Sequence, residues 1–151
     1  MSDAGVTGAL PVVLDAAGLA ELSAAHPSER FRALLAEAAR RGREVVAPTV
    51  ACAEVARGRS RTRALEAALS RHRAARGERP AVRLVDTDFL LARQVGAILD
   101  AADAATPLVV DAHVVAVCVP FGGSLVVTAD EDDIVRLAEA VPSARIRAAR
   151  P

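Results

Sequence analysis

The sequence contains no lysine: all 19 of its basic residues are arginine. That absence excludes a Walker-A phosphate loop, Schiff-base chemistry and any site built on an ammonium group. Tryptophan and tyrosine are missing too, and Phe31, Phe89 and Phe121 are the only aromatic residues. Recognition of nucleic acid by stacking bases on several exposed rings therefore has no support. Cysteine is scarce. Cys52 and Cys118 lie 66 positions apart, with no CxxC pair and no histidine at zinc spacing. Neither a disulfide framework nor a zinc site is indicated, and both read as buried thiols in a reducing compartment.

No apolar run is long enough for the ~18 residues a membrane helix needs, and the N-terminus lacks a basic start followed by an apolar stretch. The expectation is a cytoplasmic protein without membrane association. With 151 residues, 52% of them apolar and 25% charged, one domain with a sizeable core is expected.

The formal net charge is zero but unevenly spread. Residues 57–85 carry nine arginines against Glu66 and Glu78, whereas residues 86–133 carry nine acids against Arg93 alone. Solvated helix faces can produce such a count. So can a polyanion-facing surface beside an acidic, cation-binding one.

Residues 1–10 read as a flexible tail, and nothing splits the remainder. Short apolar runs at 11–14, 44–46, 82–85 and 124–128 read as strands, with a weak final one at 144–147. Helical patterns lie between them, near 17–25, 28–41, 48–57, 60–77, 86–102, 108–118 and 130–140. Ser28 is a cap, Pro48 suits a first helical turn, and Asp86 and Asp88 are both candidate caps. Strands separated by helices predict a three-layer α/β/α sandwich around a mostly parallel sheet of four to five strands. In such sheets ligands bind beyond the carboxyl ends of the strands.

Unusual acids fall at that end. Asp15 follows Val12-Val13-Leu14 directly, and Asp130 follows Leu125 to Ala129. Asp111 opens an almost wholly apolar stretch, Ala112 to Cys118, and Glu54 adjoins Val55 on another apolar face. Each alone could be a helix-start residue favoured by the helix dipole or a solvated edge. Four at one topological end call for more, because two carboxylates 4 Å apart repel by roughly 4 kcal/mol at an effective dielectric near 20. A cation among them removes that repulsion, and an all-oxygen, His-free donor set suits a hard ion, Mg²⁺ or Mn²⁺.

The segments Val12-Val13-Leu14-Asp15, Ala53-Glu54-Val55, Val110-Asp111-Ala112 and Val127-Thr128-Ala129-Asp130-Glu131-Asp132-Asp133 resemble the PIN-domain ribonucleases. Among these the VapC-type toxins of toxin–antitoxin pairs are most similar, and the resemblance runs over residues 11–148, a single PIN-like domain. It implies Mg²⁺- or Mn²⁺-dependent hydrolysis of RNA leaving a 3′-hydroxyl and a 5′-phosphate. It also implies homodimerisation and inhibition by a small antitoxin laid over the groove. Carried over position by position, Asp15, Glu54, Asp111 and Asp130 match the catalytic, metal-binding quartet. Asp132 matches an accessory acid and Thr128 a supporting hydroxyl. The chain departs from many relatives at Ala17, where they carry Ser or Thr.

Arg57, Arg61, Arg63 and Arg71 belong to a longer run that includes Arg59, Arg73, Arg76 and Arg79. They form either an exposed helix face or a surface that holds RNA phosphates. His26, His72 and His113 share no motif spacing, and His113 reads as structural. Gly122-Gly123 reads as a turn. Two other functions compete with the ribonuclease: a catalytically silent PIN-like module that binds RNA or protein, and a phospho-receiver domain. The intact acidic quartet argues against the first, and the absence of lysine against the second.

Overall fold

Val12, Val13 and Leu14 form a run too short and too β-branched for a helix, and it makes the central strand β1 (Val12–Leu14). The computed structural model describes residues 9–73 and 82–151, excluding the side chains of residues 72 and 73. Residues 1–8 of the expected tail (1–10), the helix end at Gly77, and Arg76 and Arg79 lie outside the described residues, as do the side chains of His72 and Arg73. Four more strands complete the sheet: β2 (Val45–Pro48) and β4 (Gly123–Val127) pair with β1, β3 (Arg83–Val85) with β2 and β5 (Arg145–Ala149) with β4. Every pairing is parallel, in the order β3-β2-β1-β4-β5.

The middle strands are apolar on both sides because both sides are covered. Val12 and Leu14 enter one core cluster and Val13 the other; Val45 and Ala47 oppose Val46 in the same way, and Val127 opposes Val126. The first layer holds α1 (Ala16–Ser23), α2 (Glu29–Arg40), α3 (Thr49–Val55) and α4 (Arg59–Arg73). The second holds α5 (Phe89–Ala101), α6 (Val109–Cys118) and α7 (Glu131–Ala138). No described helix is long and apolar enough to cross a membrane.

The chain moves from β1 to β2 to β3 through the first layer, returns to β4 through the second, and reaches β5 through α7. The segments leaving β1 and β4 therefore depart to opposite layers, although the strands are neighbours. A crevice opens between their carboxyl ends, the topological switch point of an open parallel sheet.

The expected elements all lie within the described architecture, with shifted edges. Ser28 caps α2 by accepting from Phe31 N at 3.0 Å, and Asp88, not Asp86, caps α5 by accepting from Leu91 N at 2.8 Å. Pro48 ends β2 as the residue before α3 rather than entering its first turn. The weak final strand is longer than expected, because its ladder with β4 continues from Gly123↔Arg145 to Val127↔Ala149.

The Gly122-Gly123 turn starts β4. Gly123 has φ 145°, and a Cβ there would lie 2.3 Å from the Arg145 carbonyl oxygen. Gly42, with φ 62°, has open space around it. Gly42→Ala should therefore cost about 1 kcal/mol from backbone strain alone. Gly123→Ala, with strain plus a backbone clash, should cost roughly 2–4 kcal/mol. Urea unfolding of both variants checks the order; equal losses would show that β5 yields freely at Arg145.

Candidate metal centre

Register brings the first two groups together. Leu14 pairs with Val127, so Asp15 and Thr128 leave adjacent strands side by side at the crevice. Asp15 is only 6% exposed and caps α1, its Oδ1 accepting from Gly18 N at 3.0 Å. Burial pushes its pKa up; hydrogen bonds from the Thr128 hydroxyl and the Gly18 and Ala17 N–H groups oppose that, and the Asp130 charge adds to it. Thr128 is fully buried, and its oxygen accepts from Asp130 N at 3.0 Å. A hydroxyl has one proton, so the Asp130 contact leaves it free to point at Asp15. The relatives' hydroxyl at position 17 is replaced here by Ala17, whose backbone N–H still reaches Asp15.

Gly18 permits this approach. A Cβ on it would stand 3.1 Å from the Leu14 side chain and 3.3 Å from the Val127 carbonyl oxygen. The start of α1 can thus rest on the β1–β4 seam.

Asp111 enters from the other layer. It lies in the first turn of α6, a helix whose next seven residues, Ala112 to Cys118, are all buried. Its pKa is pushed up to about 6, chiefly by burial and then by the charges of Asp15, Asp133, Asp130 and Glu54. All five causes act in one direction, although the helix N-terminus favours an anion. Asp111 is thus the point at which the fields of four other acids meet. Asp130 is the residue before α7, and its exposed side chain makes no capping bond. Glu54 is exposed on α3.

Asp133 was missed by sequence reasoning, which selected Asp132. Asp132 is exposed and is not among the charges acting on Asp111; Asp133 is half-buried and is. The signal was available, since Asp133 stands three residues after Asp130, one helical turn on the same side. His113 is structural, as expected: its Nδ1 lies 2.7 Å from the Val109 carbonyl oxygen one turn back. Cys118 is buried and accepts a hydrogen bond from Ser124, whereas Cys52 is only half-buried, against the expectation of two buried thiols.

Among the described residues, no three His, Cys, Asp or Glu side chains stand close enough together to hold one ion as they are. Glu54 and Asp130 are exposed, so their side chains have room to change position. The chemistry of the set still fits a hard divalent ion. All donors are oxygens, they are unequally buried, and among the described residues no cation acts on Asp111. Asp15, Asp111, Asp130 and Glu54 are the residues that would hold it, with Asp133 nearest in support.

A groove of about 740 Å³ adjoins Glu54. Ala16 and Ala20 of α1 and Ala24 just after it line one side, and Arg57 and Arg61 are also among the lining residues. Arg63 and Arg71 are exposed and do not line it. Arg63 sits two residues from buried Leu65, on the outer face of α4, while Arg71 lies two turns beyond Ala64 on the groove side.

Residues 12–140 match the PIN domain family. A search of the curated proteins gives no match. Among solved structures, the chain is similar to FitAB bound to the IR36 DNA fragment, with 17% identity, a TM-score of 0.60, and 91% of this chain and 94% of that one covered. It is similar also to FitAcB from Neisseria gonorrhoeae, with 18% identity, a TM-score of 0.60, and 90% and 96% covered. At these identities the structural likeness shows the fold.

Asp111 titrates at about 6 in the folded protein against 3.8 when free. Between those values the folded state binds the proton that the unfolded chain has released, so stability falls as pH rises through this window. The gap corresponds to a loss on the order of 2–3 kcal/mol at neutral pH, as an upper bound. In metal-free protein, Asp111→Asn should therefore be more stable than wild type at pH 7.5 and should lose that advantage near pH 4. Millimolar Mn²⁺ should raise the wild-type Tm and raise that of the variant much less. Destabilisation by Asp111→Asn at pH 7.5, with equal Mn²⁺ shifts in both proteins, would reduce Asp111 to a helix-start residue.

Proposed function

Because the chain belongs to the PIN-domain family, we propose that it is a Mg²⁺- or Mn²⁺-dependent endoribonuclease acting as the toxin of a type II toxin–antitoxin pair. PIN domains are typically metal-dependent nucleases. The observation that carries the reading to this chain is the meeting of four acidic charges on Asp111 at the β1–β4 crevice. When bound, the ion supplies a water of lowered pKa and charge neutralisation at the phosphate.

The protein's own groups do the rest. Asp15 and Asp111, set on buried backbone, define where an ion can sit; Glu54 and Asp130 close from the solvent side. Thr128 holds one Asp15 oxygen and fixes the turn that carries Asp130. Arg57 and Arg61 meet backbone phosphates in the groove beside Glu54, drawing an RNA strand toward acids that would otherwise repel it. Arg71 extends that surface, and Arg63 contributes only to the general field.

The partner proposed for regulation is a small antitoxin covering the groove, and the assembly is a homodimer in the cytoplasm, as the resemblance to VapC-type toxins implies. The similar structure of FitAB bound to a DNA fragment is in keeping with this reading.

Purified free of any partner, the protein should cut single-stranded RNA with Mg²⁺ or Mn²⁺ and stop in EDTA. Asp15→Asn should abolish cleavage, and Thr128→Val, which keeps the buried volume, should lower it about 10–100-fold. RNA binding without cleavage would establish the silent module instead. Replacing Arg57 and Arg61 by Ser should flatten the dependence of log Kd on log salt by about 1.4, at ~0.7 per phosphate on a single strand. Arg63→Ser should change the slope little, and an equal effect at Arg63 would remove the groove from the binding path.

A further inference from the structure

Three arginines have no part in the acidic cluster or the groove. Arg145 and Arg147 lie on β5 and Arg150 directly follows it, and residues 140–151 contain no acid. β5 is the edge of the sheet. Its Ile146 and Ala148 pack into the core of the second layer. By strand alternation Arg145 and Arg147 project to the opposite side, and both are exposed. They stand over Gly123 and Leu125 of β4, with their backbones two residues, about 6.6 Å, apart.

The row ends at the candidate centre. Thr128 N donates to the Ala149 carbonyl at 2.9 Å, so the residue after Ala149, Arg150, stands on the rim beside the crevice. There it turns to the second-layer side, its Nε 3.1 Å from Glu131 Oε1 at the start of α7, so Arg145 and Arg147 alone make up the outward row that runs toward the centre. Charges on an edge strand also discourage edge-to-edge pairing. That protection needs neither a single sign of charge nor a row that terminates at the acids. A polyanion needs both.

We propose that Arg145 and Arg147 form a second phosphate-binding track. It rests on the ribonuclease reading: the RNA strand lies in the α1–α4 groove on one side of the centre and along β5 on the other, with α1 between them. Two basic flanks also answer an electrostatic difficulty. Five clustered acids repel a phosphate backbone, and cations on both sides hold the strand across them.

The test compares wild type, Arg145→Ser/Arg147→Ser, the charge-keeping Arg145→Lys/Arg147→Lys, and Arg93→Ser as an exposed control elsewhere. An unstructured 20-nucleotide RNA and a hexamer of its central sequence are each cut in Mn²⁺ and bound in Ca²⁺ over a range of salt. The Ser pair should lower kcat/KM on the 20-mer about tenfold, through KM, and flatten the salt slope by about 1.4. The hexamer should be cut equally by all four proteins, and the Lys pair should behave as wild type. Wild type that cuts the 20-mer with a slope indifferent to the Ser pair overturns the track alone. So does aggregation, or loss of a protein partner, with RNA kinetics intact. Wild type that binds RNA through the track but cuts nothing overturns the nuclease reading and supports the track. Wild type that neither binds nor cuts RNA overturns both.

Discussion

Leu14 pairs with Val127, and that register sets an acid into the centre of the sheet with almost no water around it. A desolvated carboxylate must be hydrogen-bonded or neutralised. The surroundings of Asp15 do the first: one hydroxyl and two backbone N–H groups converge on it, and a glycine lets the helix that supplies them come close. What they cannot do is neutralise it, and Asp111 then arrives from the opposite layer into the same field. The arrangement is tolerable because α6 is anchored by an unbroken run of buried residues, so Asp111 cannot swing out without disturbing the core.

The layered fold was legible because its signals are local, and so was the position of each of the four acids at an element's end. A valine run ended by a charge reads as a central strand with an acid at its exit, and this holds for Asp15 and for the Val127–Asp130 segment. A strictly apolar stretch after Asp111 reads as a buried helix. The misreadings are of another kind. Asp132 and Asp133 are chemically the same, and which of them turns inward depends on where α7 begins. With Asp130 as the residue before the helix, Asp133 completes the turn and Asp132 faces solvent. The final strand looked weak because an edge strand alternates arginine with alanine and isoleucine, which carries little β signal in isolation. Arg57 and Arg61 became distinguishable from Arg63 only when the groove between α1 and α4 was in view. No pattern in the sequence marks Gly18, since the need for it comes from how α1 rests on Leu14 and on Val127, a residue more than 100 positions away.

The uneven charge along the chain also acquires a spatial meaning. The acidic tract does not form one patch. Asp86 and Asp88 sit at the start of α5, Asp88 holding its first turn, while Asp111, Asp130 and Asp133 gather at the crevice. Arg136 donates to the carbonyls of Ala102 and Asp103 at the end of α5, a cation satisfying helix-end acceptors. Much of the charge is thus spent on helix ends, and what remains concentrates at the switch point and along its flanks.

Burial is graded across the centre: Asp15 and Asp111 are fixed by the core, and Glu54 and Asp130 are free at the surface. The gradation assigns a timescale. Exposed side chains change rotamer in picoseconds to nanoseconds, whereas hinge motions of helices or domains take microseconds or longer. On the proposed reading, the two inner carboxylates would be set in advance and the outer two would close by rotation about side-chain bonds. On that reading, capture and release of an ion would call for side-chain motion and no hinge movement of the fold.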